Sequence, residues 1–562
     1  MAPIIECVPN FSEGQNSAVI QQITDEIQKI EGVRLLNVDP GKATNRTVVT
    51  FVGNPEAVVE AAFLAIKKAG ELIDMSRHTG EHPRMGATDV CPLIPIAGIS
   101  MEETAKWAQK LAERVGKELQ IPVYLYEAAQ PDRRRSNLSV IRAGEYEGFF
   151  KKIKQPEWAP DYGPAEFDAR RGGTVIGARD FLVAYNVNLN TTSTRRANSI
   201  AFDVREAGRV LREGHPVNGK IVTDDQGKPV YVPGSLKAVK AIGWYIEEYG
   251  RAQISMNLTN IHTTPVHIAF DEVCRKADQR GIRVTGSELV GLIPLQAMLD
   301  AGKYFLLKQQ RSTGVSEKEL IRIAILSMGL DELGPFNPEE RIIEYLLRNK
   351  ADYKLVNLSL TDFADETASE SPAPGGGSIA AYVGALGAAL ATMVANLSSH
   401  KKGWDDRWEE FSHWAEKGQG YKNELTRLVD ADTRAFNGIM DAFGLPKGTE
   451  EEKALRTRAI AAATKTAIEI PLRVMEVAYA SMDVIRTMAE RGNPNSVSDA
   501  GVGALCARAG VMGAFMNVRI NAAGYADKAF AADSIAKGKK LEDQAMEMEA
   551  RILAIVNQKI GS

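Results

Sequence analysis

The periodicity of apolar residues changes once along this chain, near Asn349, and that change limits what it can fold into. Before it, apolar runs of strand length alternate with amphipathic stretches of helical period. After it, strand and proline signals thin out, and Ala-rich helical runs continue to the end. The two periods demand different layers, so an α/β half followed by an all-α half is predicted. The 562 residues also exceed what one hydrophobic core serves, so a multidomain chain is expected.

In the first half, residues 4–8, 33–38, 47–52 and 90–96 read as strands. Residues 17–30 and 55–73 read as helices, the second opened by Asn54 as cap and Pro55 at its first position. This is the split βαβ order. A helix at 101–119, capped by Ser100, and a strand at 123–126 follow. The order recurs in a strand at 181–189, a helix at 194–212, strands at 238–245 and 252–258, a helix at 265–280 and a strand at 282–289. An inserted hairpin is expected at 220–232, around Asp224 to Gly227. Two ferredoxin-like split βαβ subdomains side by side would leave a ligand cleft between them. The expected boundaries are 1–178 and 179–327 for these subdomains, 328–355 for a helical linker and 356–562 for the helical domain. Its helices are expected at 378–397, 408–437, 450–491, 499–521 and 525–557, interrupted at Pro471 and at Asn493-Pro494.

Bulk properties exclude several classes. A net charge of −4 gives no general case for binding nucleic acid or an anionic membrane. Cys7, Cys91, Cys274 and Cys506 are far apart and match neither a disulfide framework nor a zinc pattern. A reducing cytoplasm is therefore expected. The start, MAPIIECVPNF, has no basic region and no long apolar run, so no secretory signal is expected. The uncharged run SIAAYVGALGAALATMVANL (378–397) has about the length of a membrane span. It is mostly Ala and Gly, so its transfer free energy is weak. A buried helix with close neighbours at Gly384, Gly387 and Ala388 is expected in place of a span.

Two of the seven histidines, His78 and His82, fall in SRHTGEHPRMGATDVCPLIP (76–95). Gly80, Pro83 and Gly86 force a loop there, and Arg77, Glu81, Arg84 and Asp89 surround the imidazoles with charge. Three readings stand side by side. His82 is a general base, with Arg84 holding an anionic substrate. Alternatively, the pair at i, i+4 binds a metal, although glycine and proline oppose the helix this needs and no third ligand is near. Or the loop is a turn with satisfied surface histidines.

In the helical half, Leu425, Leu428, Val429, Phe436 and Ile439 form one stripe of ELTRLVDADTRAFNGIM (424–440). Asp432 lies on that stripe and Asp430 points away from it. A carboxylate facing an apolar interior has a raised pKa and can deliver a proton near neutrality. The plain alternative is a buried Asp paired with an Arg or capping a helix. Upstream, SPAPGGGS (371–378) runs into a helix, and Gly375, Gly376 and Gly377 could turn backbone N–H groups toward an anion. A flexible linker is the alternative. Polar clusters at 492–499 and 517–521 read as a capped loop and a pair of interface amides.

The motifs ECVPNFSEG, TNRTVVTFVG, SRHTGEHPRMGATDVCP, PVYLYE, IRAGEYEG, DYGP, IGARDFLVAYNVNL and ERIIEYL, with APGGGS, LVDADTRAFN and MGAFMNVRINA in the second half, cover nearly the whole chain. Together they resemble the family of bifunctional formimidoyltransferase-cyclodeaminases. The resemblance implies transfer of the formimino group from N-formimino-L-glutamate to N5 of tetrahydrofolate. Closure to 5,10-methenyltetrahydrofolate with loss of ammonia follows. It implies His82 as the transferase base, Asp432 as the cyclodeaminase acid, and a folate-binding segment, GPAEFDARRG (163–172), carried by Gly163, Pro164, Phe167 and Gly172. Neither step needs a metal or redox cofactor. Arg84 or Arg46 could hold substrate carboxylates. A folate polyglutamate tail would meet local basic clusters such as Arg133 to Arg135, Lys151 to Lys154 or Lys401-Lys402, each of which also reads as solvated surface. A homo-oligomer is expected. Two rivals remain: a transferase whose helical half serves only assembly, and a folate-binding protein without turnover.

Overall fold

In the computed structural model, which describes residues 3–42, 44–80, 83–214, 218–347 and 354–561, the first sheet forms around strand Ile4–Cys7. That strand lies between Arg46–Gly53 and Thr88–Ala97, antiparallel to both, and Asn10–Phe11 continues it between the same neighbours. Val33–Gly41 borders Arg46–Gly53 on the outside. Helices Ser17–Gln28 and Pro55–Leu72 complete the set. The second begins as its sequence dictates: Asn54 accepts a hydrogen bond from the Ala57 N–H and Pro55 occupies the first turn. Ser100 and Glu103 form a reciprocal capping box at the start of Met101–Glu118.

Two parallel strands then extend this sheet. Thr174–Ala178 lies beside Thr88–Ala97, with Val123–Glu127 outside it. The first of these is not visible in the sequence. It is five residues long and buried throughout, so it has no alternation to reveal it.

The second sheet runs Val239–Ile246, Arg251–Leu258, Val183–Leu189, Val284–Val290, all antiparallel. Helices Thr194–Val204 and Val266–Asp278 connect its strands. In both sheets the first strand of the β-α-β-β-α-β set lies between the third and the fourth. Helix Thr194–Val204 is shorter than expected because the chain turns at Gly208, in the left-handed region at φ +65 and pressed on the Val232 carbonyl. The insertion is a ribbon in two steps. Arg209–Val210 pairs with Tyr231–Val232 and Arg212–Glu213 with Lys220–Ile221. At its tip the Asp224 carboxylate accepts from Gln226 N and Lys228 N.

Contacts divide the chain into two compact units, Met1–Ala297 with Met328–Leu346, and Met298–Ser327 with Leu347–Ser562. Residues 298–327 therefore group with the helical unit, where the sequence reading kept them with the α/β half. A boundary drawn from position along the chain does not show which core a segment joins. Here the Thr313 N–H donates to Ser412 Oγ at 3.0 Å, and Asn396 Nδ2 donates to the Gly314 carbonyl at 2.9 Å.

The helical unit is built on Gly376–Ser399, Trp408–Gly444, Glu450–Arg491, Val497–Ala523 and Lys528–Ile560. Small residues set its spacing. A Cβ on Gly387 would stand 2.7 Å from the Gly503 carbonyl, and one on Gly510 2.9 Å from that of Ala380. Two helical stretches, Gly376–Ser399 and Pro494–Ala523, reach mean hydropathies of 1.7 and 1.3, long and apolar enough to cross a membrane. Their windows are 61% and 50% buried inside the protein.

Pro471 does not interrupt its helix, contrary to expectation. Proline cannot donate to the carbonyl four residues back, which leaves Ala467 O without its helical partner. Asn521 Nδ2 donates to that oxygen at 2.8 Å from a neighbouring helix. Asn521→Ala should therefore destabilise the helical unit by about 1–3 kcal/mol, read as a fall in urea midpoint. Adding Pro471→Ala, which restores an N–H, should recover most of that loss. A double variant no better than Asn521→Ala would contradict the account.

Candidate active sites

Residues 85–89, which follow the paired histidines in the sequence, are fixed by one buried carboxylate. Asp89, fully buried, accepts from the Met85 N–H at 3.0 Å, from Arg142 Nη1 at 2.8 Å and from Arg46 Nη1 at 2.5 Å. Arg46 also donates to Asn10 Oδ1. Arg84 donates to both carboxylate oxygens of Glu147, to Glu145 and to His78 Nδ1. Both guanidinium groups singled out for substrate carboxylates thus have protein partners.

His78 has both ring nitrogens engaged. Arg84 Nε can only donate, so Nδ1 accepts, and Nε2 donates to the Asn45 carbonyl at 2.9 Å. This leaves His78 neither a free base nor a free metal ligand. Among the described residues no group of three or more metal-ligating side chains occurs. His82 lies outside the described residues.

The segment 163–172 is brought onto this loop by backbone pairing. Met75 N donates to Arg170 O and Ala87 N to Arg171 O, both at 2.8 Å, and Gly173 N donates to Met85 O at 3.1 Å. Gly163 and Gly172 have φ of +85 and +67. A Cβ on Gly172 would collide with the Met85 carbonyl, and one on Gly163 with that of Ile121, so only glycine fits either place. Phe167, half-buried, packs with Tyr146, Phe149 and Phe150, and Pro164 is half-buried. The Arg171 side chain is held by Asp168 and the Leu119 carbonyl.

A polar face on the second sheet escaped the sequence reading. Gln253 Nε2 donates to Asn188 Oδ1 and Glu288, and Asn186 Nδ2 and Tyr249 OH also donate to Glu288. Asp39, on the first sheet's strand Val33–Gly41, has its carboxyl raised by burial, with Arg341 opposing and Glu288 adding to the rise. Asp39, Glu288 and Arg341 are therefore within electrostatic reach. The signal was present as the alternation Asn186-Val187-Asn188, which puts two buried amides on one face of a central strand. Glu6 was likewise missed. It is 1% exposed, its Oε2 has no partner among the described residues, and burial pushes its pKa up to about 7 against the field of Arg179.

In the helical unit, Asp432 meets the end of the glycine run and Ser378, 54 positions away. Its carboxylate lies against Gly377 Cα, leaving no room for a side chain there. Ser378 Oγ lies 3.1 Å from Asp432 Oδ2, 2.9 Å from the Val429 carbonyl and 3.0 Å from Thr433 Oγ1. Burial raises the Asp432 pKa, and hydrogen bonds from the Ser378 hydroxyl and N–H oppose the rise. The Gly375 cap and the first turn at Gly376 thus carry a protein carboxylate beside them, and Asn517 Nδ2 stands over Gly376. The expected stripe is buried only as far as Val429; Phe436 is exposed and Asp432 half-buried. Past Val429 the residues buried in this helix are Asp430, Ala431, Ala435 and Ala442.

Asp430 is placed opposite to expectation. It is 4% exposed and accepts from the N–H groups of Leu355 and Val356 at 2.8 and 3.2 Å. The polar cluster at 493–499 lies at the other end of Gly376–Ser399, where Asn493 N donates to Ser398 Oγ. With 24 residues in that helix, this is about 36 Å away at about 1.5 Å per residue.

Three residues of the basic clusters have partners. Arg134 pairs with Asp132 and Arg135 with Asp161. Lys152 donates to the carbonyls of Val140, Ile141 and Ala143, and burial pulls its pKa down to about 8.

Comparisons with known proteins bear on both halves. Three family models match: the formiminotransferase domain, N-terminal subdomain, at residues 4–179, the formiminotransferase domain at 184–348, and formiminotransferase-cyclodeaminase at 359–540. A formimidoyltransferase-cyclodeaminase from Gallus gallus is 44% identical over 100% of both chains. A glutamate formimidoyltransferase from Streptococcus pyogenes is 40% identical over 54% of this chain and 94% of its own. A methenyltetrahydrofolate cyclohydrolase from Methylorubrum extorquens is 41% identical over 36% of this chain and 99% of its own.

The buried carboxylates make two predictions. Glu6 holds its proton in the folded state up to about pH 7, against an ordinary value of 4.5. Unfolding between these values releases that proton, so the group lowers stability as pH rises through this window. Glu6→Gln should therefore gain on the parent between pH 5 and pH 8, by roughly 3 kcal/mol at most. A urea-midpoint difference that does not change with pH would contradict this. For the second, Asp430→Asn should cost about 1–3 kcal/mol, because a neutral amide oxygen accepts two N–H groups less well. Asp432→Asn, which removes a buried charge, should leave the pH 8 midpoint unchanged or higher. The opposite ranking would mean the two environments are misread.

Proposed function

The chain belongs to the formimidoyltransferase-cyclodeaminase family, and from that premise we propose that it performs two reactions in succession. The formimino group of N-formimino-L-glutamate moves to N5 of tetrahydrofolate, releasing glutamate. The 5-formiminotetrahydrofolate then closes to 5,10-methenyltetrahydrofolate, releasing ammonia. The observation that carries this reading is the meeting of Asp432 with Gly377 and Ser378 in the helical unit. It gives the second half a polar site of its own, which an assembly domain does not need.

In the transfer, N5 attacks the amidine carbon and loses a proton, and the departing glutamate nitrogen gains one. A single imidazole, His82, serves both. The described residues after it, Met85 to Asp89, are anchored through the Asp89 carboxylate, and a base must be positioned to act twice. Glu288, beside Tyr249 and the Asn186 and Gln253 amides, suits a cationic amidine. The folate-binding role belongs to Gly163, Pro164, Phe167 and Gly172, on the segment paired with the His82 loop.

In the closure, N10 attacks the same carbon and the nitrogen must leave protonated. Asp432 carries that proton. Its raised pKa makes the acid form accessible, and Ser378 Oγ can donate to the carboxylate or, turned to the Val429 carbonyl, accept from the acid. No metal or redox cofactor enters either step. The same reading includes polyglutamylated folate as substrate, ferredoxin-like subdomains supported by the shared strand order, and a cytoplasmic location. It also includes a homo-oligomer, supported by exposed Phe436, Met440 and Phe443 at i, i+4 and i+7 of one helix.

The likeness to a methenyltetrahydrofolate cyclohydrolase favours a second reading of the helical half, hydrolysis of the methenyl bridge. Supplying 5,10-methenyltetrahydrofolate separates the two: hydrolysis to the 10-formyl compound faster than the uncatalysed rate marks a cyclohydrolase.

His82→Ala should lower transferase turnover by on the order of a hundredfold and leave closure of supplied 5-formiminotetrahydrofolate intact. Asp432→Asn should do the converse, abolishing ammonia release while 5-formiminotetrahydrofolate accumulates. Full transferase activity in the first variant, or ammonia release in the second, would remove that residue from its role.

A further inference from the structure

The helical unit contains a cavity of about 390 Å³ lined by Ala389, Thr392, Met393, Asn396, Leu397, His400, Gln419 and Lys422. Its size falls within the usual range of about 300–1,000 Å³ for small-molecule sites. It stands apart from Asp432, since its wall is the C-terminal half of Gly376–Ser399 and Asp432 packs on that helix's first turn.

The polar groups in this wall are of particular kinds. Asn396 Nδ2 donates to the Gly314 carbonyl, which fixes the orientation of the amide and turns Oδ1 the other way. Among the described residues that Oδ1 has no donor, and neither has Gln419 Oε1. Two buried carbonyl oxygens without donors are costly unless something supplies N–H groups. Lys422 contributes a cation, and burial pulls its pKa down with Glu317 opposing. Burial and the field of Arg311 lower the pKa of His400, so it stands neutral at pH 7. Ala389, Met393 and Leu397 offer apolar surface.

We propose that this cavity binds a free α-amino acid with an apolar side chain, its carboxylate on Lys422, its ammonium on the Asn396 and Gln419 oxygens, and its side chain against Met393 and Leu397. A zwitterion supplies both missing complements at one carbon atom. A simple anion would leave the two oxygens unpaired, and a simple amine would meet Lys422 as a like charge. The inference is independent of the chemistry at Asp432.

The test is calorimetric titration of the full chain with L-phenylalanine, 3-phenylpropanoate, which lacks the ammonium, and 2-phenylethylamine, which lacks the carboxylate. Phenylalanine should bind at one site per chain, at least tenfold tighter than either analogue. Lys422→Met should weaken phenylalanine tenfold or more without weakening 2-phenylethylamine, and Gln419→Leu should weaken phenylalanine but not 3-phenylpropanoate. Thermal melts establish that each variant is folded. No saturable heat with phenylalanine up to millimolar concentration overturns the proposal. So does equal binding of all three probes, or phenylalanine binding unaltered in both folded variants.

Discussion

Taking a carboxylate out of water is costly unless hydrogen bonds or opposite charges replace the lost solvation. This chain does so at several places, and the compensation differs at each. Asp89 has two arginines and a backbone N–H. It is the most fully compensated, and it holds the loop that leads to His82. Asp430 has two backbone N–H groups and ties the chain at Leu355 and Val356 to the helical core. Asp432 has one hydroxyl and one N–H, and its pKa rises. The gradation separates structure from chemistry. Asp89 and Asp430 fix geometry through several donors each, whereas burial raises the pKa of Asp432.

Backbone contact does the remaining positioning. Gly172 lets one strand edge lie on Met85 and Gly86, and Gly377 lets a helix start directly against the Asp432 carboxylate. In each case the missing side chain permits the close approach. The segment 163–172 and residues 75–87 are thereby one backbone assembly, although some 80 residues separate them in the sequence.

Much of this was legible beforehand, for physical reasons. Asn54-Pro55 and Ser100 announce helix starts, and strands with one buried face alternate. Ala-rich runs of helical period have no other stable form. What was not legible depends on tertiary partners. The strand Thr174–Ala178 is buried on both faces and shows no period. Position in the chain puts residues 298–327 with the α/β half, and only contacts show that they group with the helical unit. Pro471 reads as a break because nothing local reveals that Asn521 will satisfy Ala467 O. The apolar stripe implied an Asp432 facing the interior, where the structure leaves it half-buried. It misjudged Asp430, whose burial comes from a chain segment that no helical wheel contains. Arg46 and Arg84, named for substrate carboxylates, also pair with protein carboxylates 43 and 63 positions away, which no local pattern shows.

The central claim is that one chain contains two working sites of different chemistry. The most direct test is to mix the purified full-length protein with N-formimino-L-glutamate and tetrahydrofolate and to follow methenyl absorbance and ammonia together. The account predicts that both rise in equal amounts, with glutamate formed in the same quantity. Accumulation of 5-formiminotetrahydrofolate without ammonia, or folate binding without any product, would contradict it.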